Sequence, residues 1–303
     1  MGMRTDLIRE ARELHPDIAG VTEETKTQDG CTVSHIAIET EAAAQKLDKP
    51  RGSYVTVETE ALVSGIGLSE AETVLTGALS ELLPAFSARP SILLIGLGNR
   101  DVTPDSLGPR VIDRLLITRH IEKNAPELAP KGMRSVSALS PGVLGTTGIE
   151  TVEIVKGVSE HVRPDLLLCI DALSARRSER IGSTIQLNDS GIQPGSGIGN
   201  TREGLTRASL GVPVLCLGVP LVVYAATLAA DVMRVFAARA GAGSGTDAMT
   251  DTVREIVNER YGPMIITPKE IDTLLSRAAG LLSGAINRVL HAPYYDEIEA
   301  WSR

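Results

Sequence analysis

The pattern of hydrophobic and polar positions changes near residue 91. Before it, Thr32–Ile38 and Tyr54–Glu58 alternate apolar and polar residues, which is the two-residue period of antiparallel strands with one wet face. After it, short continuous apolar segments alternate with amphipathic ones, as expected for buried strands and the helices that cover them. The sequence therefore predicts an α/β fold with a mostly parallel sheet, preceded by an N-terminal extension that contains strands.

The individual elements follow from these periods and from their flanking residues. The predicted strands of the second part are Ile92–Ile95, Ser135–Leu139, Leu166–Ile170, Thr184–Leu187 and Val214–Leu217. The predicted helices are Thr5–Leu14, Ser69–Phe86, Pro109–Ile121, Ile149–Val162, Leu221–Arg239, Ala248–Tyr261 and Pro268–His291. A capping box over Ser69–Glu72 is expected to open the second helix. Gly241–Asp247 has the composition of a linker.

Composition narrows the class of protein. The 303 residues carry 30 Lys and Arg against 38 Asp and Glu, a net charge of −8, and only eight aromatic side chains. A nucleic-acid-binding protein needs a basic face, so this class is not expected. The cysteines at 31, 169 and 216 are widely spaced and are expected to be reduced core residues of a cytoplasmic protein. The length suits one domain over 1–303, with a catalytic core over 91–240.

No membrane association is expected from the apolar segments. The N-terminal residues are charged and lack the apolar region of a secretory signal. Val212–Ala230 carries no charge, but Pro213, Gly218 and Pro220 interrupt it, which favours a buried strand followed by a helix over a membrane span.

Two aspartates are the leading candidates for chemistry. Asp105 lies in the loop after the strand Ile92–Ile95, and Asp171 directly follows Leu166–Ile170. Ligands of open α/β sheets gather beyond the carboxyl ends of the strands, so both carboxylates are expected at one edge. Two carboxyl groups held close split their pKa values, which provides an acid and a base for activating water. Either aspartate could instead only cap the turn or helix that follows it.

Other site chemistries fit less well. The loop after Ile95 lacks the third glycine of a dinucleotide fingerprint and is acidic, which disfavours a pyrophosphate. Five scattered histidines show no metal-binding spacing, so neither a metal nor another cofactor is expected. The glycine-rich loops Ser140–Gly148 and Gly191–Asn200 follow predicted strands and either form turns or line a cleft with backbone N–H groups.

Several longer motifs resemble those of the germination protease family of spore-forming bacteria. They occur in one order along nearly the whole chain: RTDL at 4–7, GLGNRDVTPDSLGP at 96–109, TRHI at 118–121, SPGVLGTTGIET at 140–151, IDALSAR at 170–176, QPGSGIGN at 193–200, LGVPVLCLGVP at 210–220 and ITPKEID at 266–272.

This resemblance implies a fold, an activity and a site. It implies a three-layer α/β sandwich like that of hydrogenase maturation peptidases, and an unconventional aspartic-type endopeptidase that degrades small acid-soluble spore proteins after a glutamate in an acidic motif. The family's essential aspartates fall on Asp105 and Asp171. The resemblance also implies a homotetrameric zymogen of the forespore that processes its own N-terminus, here near Arg4 and Thr5, with 1–4 as a propeptide remnant.

The chain departs from the family pattern at three places. Few residues precede the TDL segment, Leu221 and Tyr224 stand where Thr and Asp are expected, and the segment after Val235 is short. Arg176 and Arg177 follow Asp171 and are candidates for binding a substrate glutamate, although they equally suit a solvated face. The alternatives to the aspartic protease are a metal-assisted processing peptidase and a catalytically silent protein that binds spore proteins.

Overall fold

In the part of the chain that the structure describes, a mixed sheet of nine strands forms the centre of the protein. The structure is a computed structural model that describes residues 5–86, 90–130, 133–193, 203–241, 246–292 and 294–295. The strands are β1 Val21–Gln28, β2 Cys31–Ile38, β3 Gly52–Glu58, β4 Ser91–Gly96, β5 Ser135–Leu139, β6 Leu166–Ala175, β7 Thr184–Asn188, β8 Val214–Tyr224 and β9 Ile265–Ile266.

The sheet is parallel on one side and antiparallel on the other. Its order is β1-β2-β3-β7-β8-β6-β4-β5, with β9 paired to β8. The strands β8, β6, β4 and β5 run parallel, whereas β1, β2, β3 and β7 pair antiparallel. The predicted parallel core and antiparallel N-terminal extension are thus confirmed, and they join through β3 and β7 into one sheet.

Helices cover both faces of this sheet. The α-helices are α1 Ile8–Leu14, α2 Glu41–Leu47, α3 Ala61–Ser64, α4 Leu68–Leu82, α5 Leu107–Ile112, α6 Arg119–Asn124, α7 Leu144–Thr147, α8 Thr151–Val162, α9 Arg207–Leu210, α10 Ala225–Arg239, α11 Thr246–Tyr261 and α12 Ile271–His291. Short 3₁₀ turns span Thr103–Asp105, Pro126–Leu128 and Ser178–Arg180.

Alternate residues of the central strands pack against different helices. Leu94 and Leu168 lie in a large core with α4, α5 and α12, whereas Leu93 and Leu167 lie in a second core with α8. A third cluster joins α1 and α2 to β2 and β3. Because successive strand residues point to opposite faces, continuous apolar strands fill two cores at once, and the result is the expected three-layer α/β arrangement.

Some predicted boundaries were wrong, for identifiable reasons. The strand Val21–Gln28 was missed because its residues are almost all polar and exposed. The helix predicted over Pro109–Ile121 is two helices, α5 and α6, separated by a turn. The predicted capping box at Ser69 is not used, because α4 begins at Leu68 after Gly67, without a side-chain cap.

The C-terminal elements agree with the sequence more closely. α11 and α12 begin within a few residues of their predicted starts and end at Tyr261 and His291 as predicted. Of the linker-like segment, 242–245 lie outside the described residues, and Thr246 already belongs to α11. Among the helices that the structure describes, none is both long and apolar enough to cross a membrane.

Candidate active site

The site forms where β6 extends past its neighbour β4. The pairing with β4 ends at Ile170, but β6 continues to Ala175 and stays paired with β8. The sequence predicts that Asp171 follows the end of a strand, but in the structure it lies inside β6. From Asp171 onward no strand of the described residues pairs with the edge of β6 that faces β4, so its backbone groups are available to other segments.

The Asp171 carboxyl group faces an environment that disfavours its charge. The side chain is half-buried, and Oδ1 accepts a hydrogen bond of 2.9 Å from the Ala172 N–H. Burial, followed by the negative charges of Asp105 and Asp6, raises the pKa of Asp171 well above its ordinary value. The hydrogen bond from Ala172 acts in the opposite direction but is a smaller effect.

The Asp105 carboxyl group is placed by a tight loop. It ends the 3₁₀ turn Thr103–Asp105, and its Oδ2 accepts a hydrogen bond of 2.8 Å from the Asn99 N–H. Gly98 has a φ of +106°, and a Cβ there would lie 2.0 Å from the Asp105 carbonyl oxygen, so only glycine allows this approach. Burial raises the pKa of Asp105 above its ordinary value.

Both aspartates line one cleft of about 830 Å³. The loops predicted over 140–148 and 191–200 contribute Gly142–Gly145 and Gly191–Gln193 to its walls, and residues 194–200 lie outside the described part of the chain. The negative charge of Asp105 is one of the causes that raise the pKa of Asp171. Two carboxyl groups whose environments differ in this way can hold different protonation states, which is the arrangement needed to activate water.

The two candidate arginines lie away from this cleft. Arg176 is 5% exposed, and its Nη2 lies 3.2 Å from Asp231 Oδ1. Arg177 is largely exposed and lies 3.8 Å from Glu13, and neither arginine lines the cleft. Both residues follow the end of β6 and contact other acidic groups, and their binding of a substrate glutamate stays a prediction.

The candidate processing residues lie at the edge of the described chain. Arg4 falls outside the described residues, whereas Thr5 is buried and its carbonyl accepts a hydrogen bond of 2.7 Å from Lys49 Nζ. Two of the departures from the family pattern, Leu221 and Tyr224, lie in β8. Leu221 is fully buried in the core, and Tyr224 lines the cleft.

Sequence reasoning missed three groups of the cleft. Asp6, Ser174 and Gln186 all line it, and Ser174 and Gln186 each contact Asp6. The RTDL and IDALSAR motifs contain Asp6 and Ser174 and were a usable signal, but Gln186 stands in an ordinary strand pattern. Among the described residues, no three His, Cys, Asp or Glu side chains are arranged to hold a metal ion.

Comparison with known proteins identifies close relatives. The germination protease family model matches residues 3–244. The germination protease of Caldanaerobacter subterraneus is 41% identical, with 96% of this chain and 94% of that protein aligned. The germination proteases of Clostridium acetobutylicum and Bacillus subtilis are 35% and 34% identical, each over 95% of this chain and over 95% and 93% of their own lengths.

Among solved structures, a NiFe hydrogenase maturation protease from Thermococcus kodakarensis matches with a TM-score of 0.38 and 19% identity, covering 71% of this chain and 99% of that one.

Proposed function

The chain belongs to the germination protease family, and we propose that it is an aspartic-type endopeptidase that begins the degradation of small acid-soluble spore proteins during germination. In this proposal it cleaves after a glutamate in a short acidic motif. The observation that carries the proposal is the convergence of Asp105 and Asp171 on one cleft, with the pKa of each raised by burial.

The proposed mechanism uses the two carboxyl groups in different protonation states. The charged one accepts a proton from a water molecule as the water oxygen attacks the peptide carbonyl carbon. The protonated one donates a hydrogen bond to the carbonyl oxygen, where negative charge develops. Proton transfer to the leaving amine then completes the hydrolysis. The pKa of Asp171 is raised by the negative charges of Asp105 and Asp6 as well as by burial, whereas that of Asp105 is raised by burial. Asp171 is therefore the better candidate for the protonated partner at neutral pH.

The resemblance extends this proposal to maturation, location and assembly. We propose that the first residues are removed near Arg4 and Thr5 in the forespore, whose core holds the substrates. We also propose a homotetramer, which is supported by exposed apolar side chains on neighbouring α10 and α11, including Val232, Phe236 and Ile256. A molar mass of one chain in light scattering would contradict the tetramer.

The first experiment is incubation of the purified protein with a small acid-soluble spore protein, with and without EDTA, followed by intact mass measurement. Fragments ending in glutamate that form equally in EDTA would support an aspartic-type endopeptidase. Loss of cleavage in EDTA, restored by added divalent metal, would favour a metal-assisted peptidase instead. The mass of the enzyme in the same sample shows whether its own first residues have been removed.

A further inference from the structure

Asn99 lies on the loop that carries Asp105, and it lines the same cleft. This loop leaves β4 beside β6, where the Leu97 N–H donates a hydrogen bond of 2.8 Å to the Ile170 carbonyl oxygen, one residue before Asp171. The Asn99 N–H then donates to Asp105 Oδ2 at 2.8 Å. Asn99 therefore belongs to the loop that brings the two aspartates to one cleft, and it directly contacts one of them.

The side-chain amide of Asn99 is held in one orientation. The side chain is half-buried, and its Oδ1 accepts a hydrogen bond of 3.0 Å from the Asp101 N–H. A backbone N–H needs an acceptor, so the amide atom that faces it is the oxygen and not the nitrogen. The two N–H donors of Nδ2 are therefore directed away from Asp101. Within the described part of the chain, no hydrogen bond uses them.

Most other polar side chains of the cleft already donate hydrogen bonds within the protein. Those that do so include Lys49, Tyr54, Ser174, Gln186 and Ser190. The other side-chain amides of the described cleft wall, Gln45, Asn188 and Gln193, lie on α2, at the end of β7 and after β7. Of the amides in the described wall, only that of Asn99 therefore belongs to a loop that also holds a cleft aspartate.

The charge of the cleft gives an uncharged donor a specific use. The described residues that line it include five carboxylates, and the only cationic side chain among them is that of Lys49, which donates to the Thr5 carbonyl oxygen. Negative charge that develops on a peptide carbonyl oxygen is therefore repelled by its surroundings. An amide N–H stabilises such charge, and it has no proton that the reaction would take from it.

We propose that Asn99 Nδ2 donates a hydrogen bond to the carbonyl oxygen of the scissile peptide bond, beside the protonated carboxyl group. As the water oxygen bonds to the carbonyl carbon, the C=O electron pair moves onto the carbonyl oxygen, and the hydrogen bond from Nδ2 strengthens. The charged carboxylate takes the water proton, so Nδ2 keeps both of its protons. The proposal rests on the proposed endopeptidase function and adds to it a catalytic residue that does not titrate.

The first test is the kinetics of Asn99→Ser with a small acid-soluble spore protein as substrate. A serine hydroxyl can accept the hydrogen bond from the Asp101 N–H, so the turn is kept, but it is too short to replace Nδ2. We expect kcat to fall about 100-fold with KM within about threefold, because the lost hydrogen bond is strongest in the transition state. The pH dependence of kcat and the urea midpoint should match those of the parent. A shifted pH dependence would instead show that the loop had moved Asp105, and it would overturn the catalytic role.

Two further variants complete the kinetic comparison. Asn99→Asp keeps an oxygen that accepts from the Asp101 N–H but replaces the N–H donors with a charged acceptor, so its kcat should fall at least as far as that of Asn99→Ser. It is of the same size as the parent residue and takes the place of Asn99→Ser if that variant does not fold. Asn124→Ser is the matched control, because this exposed asparagine ends α6 outside the cleft, and its kcat should stay within about twofold of the parent value.

A binding measurement tests the same hydrogen bond without cleavage. The probes are two forms of the peptide acetyl-Glu-Glu-Ala-Ala-amide in which the peptide bond after the second glutamate is replaced by CH(OH)–CH2 or by CH2–CH2. They differ only in the hydroxyl group that takes the place of the carbonyl oxygen. The parent protein should bind the hydroxyl peptide at least about 10-fold tighter than the other, and Asn99→Ser should lower this preference about fivefold.

The two measurements separate failure of this proposal from failure of the proposed function. Cleavage by the parent with an unchanged kcat in Asn99→Ser would overturn the role of Asn99 and leave the protease standing. A parent that cleaves no spore protein, but whose hydroxyl preference is lowered in Asn99→Ser, would contradict the spore-protein function and leave the Nδ2 donor standing. Equal binding of the two probes by the parent, or a preference that Asn99→Ser leaves unchanged, would overturn the donor.

Discussion

The two halves of β6 have the same backbone conformation and opposite roles. Leu166–Ile170 lies between β4 and β8 and is completely buried. Asp171–Ala175 keeps β8 on one side, but on the other side it meets Asp105 and Asp6, and Glu10 accepts a hydrogen bond from the Arg176 N–H just beyond its end. A strand that is longer than its neighbour thus offers backbone groups to side chains and other segments, and the polar groups of the cleft collect around them.

The largest effect should come from removing either of the two carboxyl groups that meet where the second half begins. Asp105→Asn and Asp171→Asn are each expected to lower kcat for a spore-protein substrate by about 10³-fold, because general acid–base catalysis is lost. Asp113→Asn is the control, since this exposed carboxylate pairs with Arg100 outside the cleft. Full activity in either cleft variant would contradict the dyad.

The next effect tests the loop that brings Asp105 to β6. Gly98→Ala forces a side chain into a left-handed conformation and against the Asp105 carbonyl, so it should lower the free energy of unfolding by about 2–4 kcal/mol. Activity of the folded protein should fall at least tenfold. Gly77→Ala in α4, where nothing lies within 4 Å of the added Cβ, should raise stability by about 0.5–1 kcal/mol. Urea unfolding measures both.

The far end of β6 depends on a buried carboxylate. Glu10 is 0% exposed, and its carboxylate accepts hydrogen bonds from the N–H groups of Arg176 at 2.7 Å and Arg177 at 2.8 Å. Glu10→Gln turns one oxygen into a donor that faces another donor, so it should lower the free energy of unfolding by about 2–3 kcal/mol. Glu24→Gln, on exposed β1, should leave the urea midpoint unchanged.

A smaller effect is the pH dependence of stability that the Asp171 carboxyl group causes. Its pKa is raised in the folded protein, so the folded state holds a proton that the unfolded state releases above about pH 4. The protein therefore loses stability as the pH rises from about 4 toward the raised pKa of Asp171 in the folded protein. Asp171→Asn removes the loss and should raise the Tm at pH 7 by about 2–5 °C, with little change at pH 4. A Tm increase that is the same at both pH values would contradict this explanation.

The sequence predicted the fold better than the site, for a physical reason. Hydrophobic periodicity records burial, and it identified β4, β5 and the buried half of β6 closely. The second half of β6 escaped the prediction because Asp171 interrupts the apolar run, although the strand continues. Asp105 and Asp171 were selected because polar residues at strand ends are visible in a sequence, whereas Gln186 is recognisable only from its contacts across the sheet.

The smallest expected effect separates proximity in sequence from proximity in space. Arg177 is only six positions after Asp171, but its side chain is 50% exposed beside Glu13 and does not line the cleft. Exposed ion pairs contribute little, so Arg177→Ala should leave KM for an acidic substrate within about twofold of the parent value. Lys49→Met, which removes the cationic group from the described cleft wall, should raise KM severalfold at the same substrate. A larger rise in KM for Arg177→Ala than for Lys49→Met would show that substrates reach beyond the cleft toward the end of β6. Basic residues next to a catalytic motif would then be better guides to substrate binding than the cleft itself.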